Sequence, residues 1–254
     1  MSEKAIVITG ASAGIGAALA MQLAARGDKL MLAARRASEL RQIGRACGRD
    51  ALPFVTDVTR HQDVNRLRDE AVRTFGKVDV WVNNAGRGIN RNVLELTDED
   101  FDEMMAVNVK SALYCMQAIL PHFKEQGAGH LINVSSGLGR IPFASQRSAY
   151  SAAKAALNSL TATLRMDLRK EYPNIHVSLV MPGIVRTNFP NNVLHVDPQA
   201  GGPGMPGQSA DEVAAAMVDL IDHPRAELYT NPGQAETVAR YYADVGAFEQ
   251  SMDR

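Results

Sequence analysis

The feature that most constrains this chain is an alternation in which short apolar runs rich in β-formers are each followed by a longer stretch with helical spacing. The runs fall at 4–9 (Lys-Ala-Ile-Val-Ile-Thr), 29–34, 51–56, 78–82, 129–134 and 175–181, with a weaker seventh near 226–230. Helical patterns fill 14–26, 37–47, 60–75, 98–124, 149–171 and 209–222. Strand–helix–strand repeats of this kind close with right-handed crossovers into a parallel sheet. The expected class is therefore α/β and doubly wound, with a mostly seven-stranded parallel sheet flanked by helices. A chain of 254 residues, 46% of them hydrophobic, can fill one core, so residues 1–254 are read as a single domain.

Local signals refine this layout. Thr97 can cap a helix whose first turn, Asp98-Glu99-Asp100, complements the positive end of the helix dipole. From 186 to 207 the pattern breaks into Asn, Pro and Gly, too long for a simple connector, and this stretch is expected to be a mobile lid over a substrate. Helical spacing returns over 234–254, a C-terminal tail with Val238, Tyr241, Tyr242, Val245 and Phe248 at mostly helical intervals.

Composition removes several function classes. With 27 Lys and Arg against 28 Asp and Glu and no long single-sign run, the chain has no global field for a polyanion, and nucleic acid is not expected as a partner. No apolar stretch approaches the roughly 18 residues of a membrane span, and Met1-Ser2-Glu3-Lys4 leads straight into a strand pattern, so a soluble, cytoplasmic protein is expected. Cys47 and Cys115 lack a CxxC pattern, and the six histidines form no metal-binding spacing; no metal is expected.

The segment Thr9-Gly10-Ala11-Ser12-Ala13-Gly14-Ile15-Gly16 follows the first strand and opens the first helix. Backbone N–H groups and a helix N-terminus there can approach a pyrophosphate, and glycine leaves room that a Cβ would block. This suits a Rossmann-type dinucleotide site, although the spacing Gly-x3-Gly-x-Gly differs from the general Gly-x-Gly-x-x-Gly fingerprint. After the second strand, where an NAD enzyme would place an acid for the ribose 2′-hydroxyl, the chain has Arg35-Arg36. A guanidinium there suits a 2′-phosphate, so the expected cofactor is NADP rather than NAD. Asp57 can hold the adenine amino group, with Val58 against the ring.

Six short motifs follow one another in order: Thr9-Gly10-x3-Gly14-Ile15-Gly16, Asn83-Asn84-Ala85-Gly86, Asn108, Ser135-Ser136, Tyr150-x3-Lys154 and Pro182-Gly183-x-Val185-x-Thr187. Each is weak alone. Together, over roughly 4–190, the chain resembles the short-chain dehydrogenase/reductase family. Tyr150 and Lys154 are four apart in a helical pattern and share one face. A nearby ammonium, together with an oxidised nicotinamide, would favour the phenolate and lower a phenol pKa of about 10, letting Tyr150 exchange a proton with the substrate oxygen.

The resemblance implies further roles. Lys154 would also contact the nicotinamide ribose, Ser136 rather than Ser135 would hydrogen-bond the substrate oxygen, and Asn108 would hold a water linking Lys154 to solvent. Asn83, Asn84, Ala85 and Gly86 would brace the sheet and let the cofactor lie close to the backbone, with Asn83 and Gly86 lining the adenosine and ribose region. Pro182, Gly183, Ile184 and Thr187 would receive the nicotinamide. The resemblance also implies a homodimer or homotetramer packed through the helices at 98–124 and 149–171, which carry apolar residues on more than one face.

Phe189, Val193, Leu194, His195, Val196 and Met205 of the lid, with Leu138, Ile141, Pro142 and Phe143, form a mostly apolar set, which predicts a hydrophobic or aromatic ketone or secondary alcohol. Arg140 and Arg147 argue the other way, since either could bind an acidic group if it points inward. Two other functions fit the same residues less well. An epimerase or dehydratase of the superfamily usually carries a longer C-terminal substrate domain, and a nonenzymatic dinucleotide sensor should have lost the acid–base pair.

Overall fold

The computed structural model describes residues 3–187, 189, 192–195 and 207–252. In chain order the strands are β1 (Ala5–Thr9), β2 (Lys29–Ala34), β3 (Ala51–Val55), β4 (Val80–Asn83), β5 (Gly88–Ile89), β6 (Gly129–Val134), β7 (Ile175–Met181), β8 (Val185–Arg186), β9 (Val193–Leu194), β10 (Gln208–Ser209) and β11 (Glu227–Tyr229). The helices are α1 (Gly14–Ala25), α2 (Ala37–Cys47), α3 (His61–Phe75), α4 (Asp98–Met105), α5 (Ser111–Gln126), α6 (Ser148–Leu168), α7 (Ala210–Asp222), α8 (Gln234–Ala243) and α9 (Val245–Met252). Seven strands make one parallel sheet in the order β11-β7-β6-β4-β1-β2-β3. The seven strand runs expected from the sequence form this sheet, with ends within two residues of the prediction.

The period-two geometry of a strand explains the apolar runs. Ile6 and Ile8 of β1 pack on one face of the sheet with Leu19 and Leu23 of α1 and Val213, Met217 and Leu220 of α7. Val7, between them, points to the opposite face with Trp81, Leu67 of α3, Ile119 and Phe123 of α5 and Leu157 of α6. Both faces are covered, so alternation disappears and the run reads as continuously apolar.

The chain order places β2 on one side of β1 and β4 on the other. Connections leaving β1 and β4 therefore diverge at their C-terminal ends, where open α/β sheets hold ligands. The loops after β1, β4, β6 and β7 all open on this edge.

Two expectations need correction. The single helix predicted over 98–124 is broken: α4 ends at Met105, a π turn spans Ala106–Lys110, and α5 follows. The start is as predicted, with Thr97 accepting from the Asp100 backbone N–H at 3.2 Å in a capping box. The break falls at Asn108, whose side chain donates to the Met104 carbonyl at 3.1 Å and so competes with the backbone ladder.

The break in pattern over 186–207 also holds short strands. Its described part is tied down at two places, by β8 beside β10 and by β9 beside β5. Two-residue strands are too short to leave a periodic signal. Residues 188, 190, 191 and 196–206 of this stretch, Val196 and Met205 among them, lie outside the described residues, as do 253 and 254 of the tail. Among the described residues no helix is long and apolar enough to cross a membrane.

Candidate active site

The loop after β1 turns on Gly10 and Gly14, both at positive φ (68° and 57°), a region that L side chains rarely adopt. Close packing accounts for Gly16, where a Cβ would lie 2.5 Å from the Gly10 carbonyl oxygen. Asn84 clamps this loop from the end of β4, donating through Nδ2 to the carbonyls of Thr9 (3.0 Å) and Gly10 (3.3 Å). Thr9 Oγ1 in turn accepts from the backbone N–H groups of Asn84 and Ala85. At the start of α1, Ala13 is the N-cap; it supplies no capping side chain, and the first turn holds no acid. The first-turn N–H groups at Gly14, Ile15 and Gly16 thus point out of an uncapped helix end, a cradle that fits a pyrophosphate.

Arg36, rather than Arg35, reaches over this cradle: its Nη2 donates to Ser12 Oγ at 3.0 Å, and Nη1 lies 3.8 Å from Glu39. Arg35 is exposed and makes no side-chain bond among the described residues. Beyond β3, one Asp57 carboxylate oxygen accepts from the backbone N–H and the hydroxyl of Thr59, while Val58 is buried. Asn83 is turned inward, accepting from Trp81 Nε1 (2.9 Å) and donating to Asn133 (2.8 Å). Its side chain thus braces β4 against β6.

On the other side of the same edge, Ser136, Tyr150 and Lys154 come together, all three buried. Tyr150 and Lys154 share one face of α6, with Lys154 Nζ 5.6 Å from the Tyr150 ring centroid. Lys154 Nζ donates to the Val134 carbonyl at 2.9 Å. A Cβ on Gly86 would come within 3.0 Å of Asn108 Oδ1 and 3.5 Å of Lys154 Nζ, so Gly86 lets the backbone lie close to both. The π turn orients Asn108: its Nδ2 donates to the Arg87 carbonyl (2.9 Å), and its Oδ1 accepts from the Arg87 N–H (3.2 Å).

The two serines separate cleanly. Ser135 Oγ donates to Asn158 Oδ1 at 2.5 Å and approaches the Lys154 carbonyl at 3.3 Å, so it is spent inside the protein. Ser136 accepts from the Leu138 N–H and lies against the Tyr150 hydroxyl. Burial pushes the Tyr150 phenol up to about 12, opposed by the hydrogen bond from Ser136 and the charge of Arg147. Burial pulls the Lys154 ammonium down to about 8. Among the protein groups desolvation therefore outweighs the neighbouring donor and charge, while the lowering expected from the sequence counts an oxidised nicotinamide as well.

After β7, the Pro182 carbonyl accepts from the Gly137 N–H at 2.8 Å, which joins this segment to the Ser136 turn. Gly183 packs on Asn231, Ile184 is exposed, and a Cβ on Gly14 would touch the Thr187 side chain at 3.4 Å. The predicted 182–187 segment thus bridges the glycine loop and the Tyr150 cluster.

Sequence reasoning missed two supporting residues. Asn158, one turn after Lys154, ties Ser135 to the Gly139 carbonyl (3.0 Å), and its spacing of four from Lys154 was the available signal. Asn192 donates to the Gly86 carbonyl at 2.9 Å, a contact across 106 positions with no local signal.

A doubly wound sheet with an uncapped glycine loop and a buried Ser–Tyr–Lys cluster on the same edge defines a dinucleotide-binding oxidoreductase. A model of the short chain dehydrogenases matches residues 4–196, and the chain belongs to the short-chain dehydrogenase/reductase family. It is similar to the uncharacterized oxidoreductase YxnA of Bacillus subtilis (strain 168), 34% identical over 94% of this chain and 68% of that protein. A short-chain dehydrogenase/reductase from Burkholderia phymatum in complex with NAD superposes with a TM-score of 0.87 at 29% identity, covering 97% of this chain and 95% of that one. The alcohol dehydrogenase of Thermococcus sibiricus, complexed with 5-hydroxy-NADP, gives a TM-score of 0.78 at 30% identity over 90% and 96%. The protein is accordingly a nicotinamide-dependent oxidoreductase of this family.

Proposed function

We propose that the protein interconverts a ketone and its secondary alcohol with NADP(H), on a substrate whose body is hydrophobic or aromatic. The observation that carries this reading is the burial of Ser136, Tyr150 and Lys154 together at one edge of the sheet, with Lys154 Nζ 5.6 Å from the Tyr150 ring centroid. When bound, the nicotinamide exchanges a hydride with the substrate carbon. Tyr150 gives a proton to the carbonyl oxygen in reduction and takes it back in oxidation. Ser136 hydrogen-bonds the same oxygen and holds it in line. Lys154 holds the ribose and adds positive charge near the phenol, and Asn108 positions the polar path behind it.

Support for the apolar body comes from Ile89, Leu96, Leu138, Phe189 and Leu194, which pack around Tyr150. The segment 186–207 is proposed to close over this wall. Arg36, poised beside Ser12, supports a preference for a 2′-phosphate, with Arg35 next to it. Exposed Phe101, Leu160 and Met166 on α4 and α6 support assembly as a homodimer or homotetramer, and a monomeric mass in solution would remove that part of the reading.

The test is a panel of aryl ketones and secondary alcohols followed by nicotinamide absorbance with NADPH and NADH in turn. Turnover with NADPH favoured is expected. Binding of the dinucleotide with no turnover of any carbonyl or alcohol would overturn the reaction, and equal efficiency with NADH would overturn the NADP preference.

A further inference from the structure

Of the four arginines Arg87, Arg91, Arg140 and Arg147, three are matched to acids. Arg87 pairs with Glu103 at 3.0 Å, Arg91 lies 3.7 Å from Asp100, and Arg140 is bound to Glu227 at the far edge of the sheet. Arg147 has no carboxylate within ion-pair distance among the described residues. Its one side-chain hydrogen bond is from Nη1 to the Ile89 carbonyl at 3.3 Å.

The position of Arg147 is electrostatically unfavourable for a lone cation. It stands at the N-cap position of α6, a 21-residue helix with no capping side-chain bond and no acid in its first turn, so the positive end of the helix repels it. It is also partly buried beside an apolar wall. A Cβ on Gly88 would meet Arg147 Nη1 at 2.9 Å and the Phe189 ring edge at 3.0 Å, and the Phe189 ring lies 5.8 Å from that of Tyr150. The guanidinium and Phe189 therefore both pack against Gly88, and Phe189 in turn against Tyr150, whose hydroxyl feels the charge of Arg147.

We propose that Arg147 binds a carboxylate on the substrate, so that the molecule has an apolar or aromatic body and an anionic end. This rests on the reading above, in which Tyr150 faces the reacting carbonyl. A planar guanidinium receives a carboxylate through paired N–H donors, and an anion here offsets the helix end and supplies the acid partner that the described residues do not. Arg147 acts on substrate choice and orientation, while the proton remains with Tyr150. The mostly apolar wall expected from the sequence thereby gains one fixed charge, and the pocket becomes amphipathic.

Two matched pairs provide the test: 4-acetylbenzoate with its methyl ester, and benzoylformate with its methyl ester. In the wild type, the acid of at least one pair should exceed its ester about 10- to 100-fold in kcat/KM, mostly through KM. Arg147→Gln should bring that ratio close to one, and Arg147→Lys should leave an intermediate ratio. Esters used as well as acids by the wild type, or an unchanged ratio in Arg147→Gln, would overturn the inference while leaving the ketone reaction standing. Benzoate titrated into the enzyme–NADPH complex, read by quenching of nicotinamide fluorescence, makes the test independent of turnover. Saturable binding that Arg147→Gln abolishes supports the carboxylate site, and no saturation in the wild type overturns it. Benzoate binding together with no ketone reduction would overturn the proposed reaction and not the anion site.

Discussion

The glycine loop and the Tyr150 cluster sit on the same edge of one sheet yet are made of opposite materials. The loop offers backbone: N–H groups of an uncapped helix, two glycines at positive φ, and an asparagine that holds the turn shut. The cluster offers side chains, deeply buried, whose protonation is shifted by the loss of water. A backbone site is sensitive to volume and indifferent to pH, whereas the side-chain site is sensitive to single atoms and to proton activity. The difference separates binding from chemistry along one edge.

Tyr150→Phe should break the comparison most sharply. Removal of one oxygen should lower turnover by about 10²- to 10⁴-fold while dinucleotide affinity, measured by fluorescence titration, stays within a few-fold. Equal losses in both would mean that the two regions are not separable. The next largest effect lies on the backbone side: Arg35→Gln with Arg36→Gln should reduce the NADPH-to-NADH ratio of kcat/KM by about 10- to 100-fold. An unchanged ratio would place the 2′-phosphate elsewhere.

The pH profiles should differ by direction. Burial raises the Tyr150 phenol, so its proton persists to higher pH; ketone reduction, which needs that proton, should stay level through neutral pH and fall only in the alkaline range. Alcohol oxidation needs the phenolate and should climb over the same range, so parallel profiles for the two directions would remove Tyr150 as the acid–base group. The smallest effect concerns volume alone. Gly16→Ala should lower stability by about 1–3 kcal/mol in denaturant unfolding, because its Cβ would lie 2.5 Å from the Gly10 oxygen.

The sheet was legible because both its faces are covered, which turns each strand into an apolar run that any reader of the sequence can find. The cluster was legible through spacing: Tyr150 and Lys154 are one helical turn apart, and Ser136 follows the end of β6 by two residues. What stayed hidden depended on distant partners. Arg140 and Arg147 look alike in sequence, and only Glu227, 87 positions from Arg140, distinguishes them. Likewise a donor and a charge near Tyr150 can be sought in the sequence, whereas the burial that outweighs them is a property of the whole fold. The pairing of β5 with β9 joins segments more than a hundred residues apart through two residues each, which no local pattern announces.

The π turn at Ala106–Lys110 gives the helical layer a reading frame. A π turn carries an extra residue compared with an α turn, and each residue advances a helix by about 100°. Upstream of it, Met104 faces the Tyr150 side; downstream, Ala112, Cys115, Met116, Ile119 and Phe123 face the sheet. The turn takes up its extra residue locally, so the helix before it and the helix after it each present the faces their own contacts require. The asparagine that holds Arg87 by both amide atoms thus also keeps two stretches of helix in the phase that each needs.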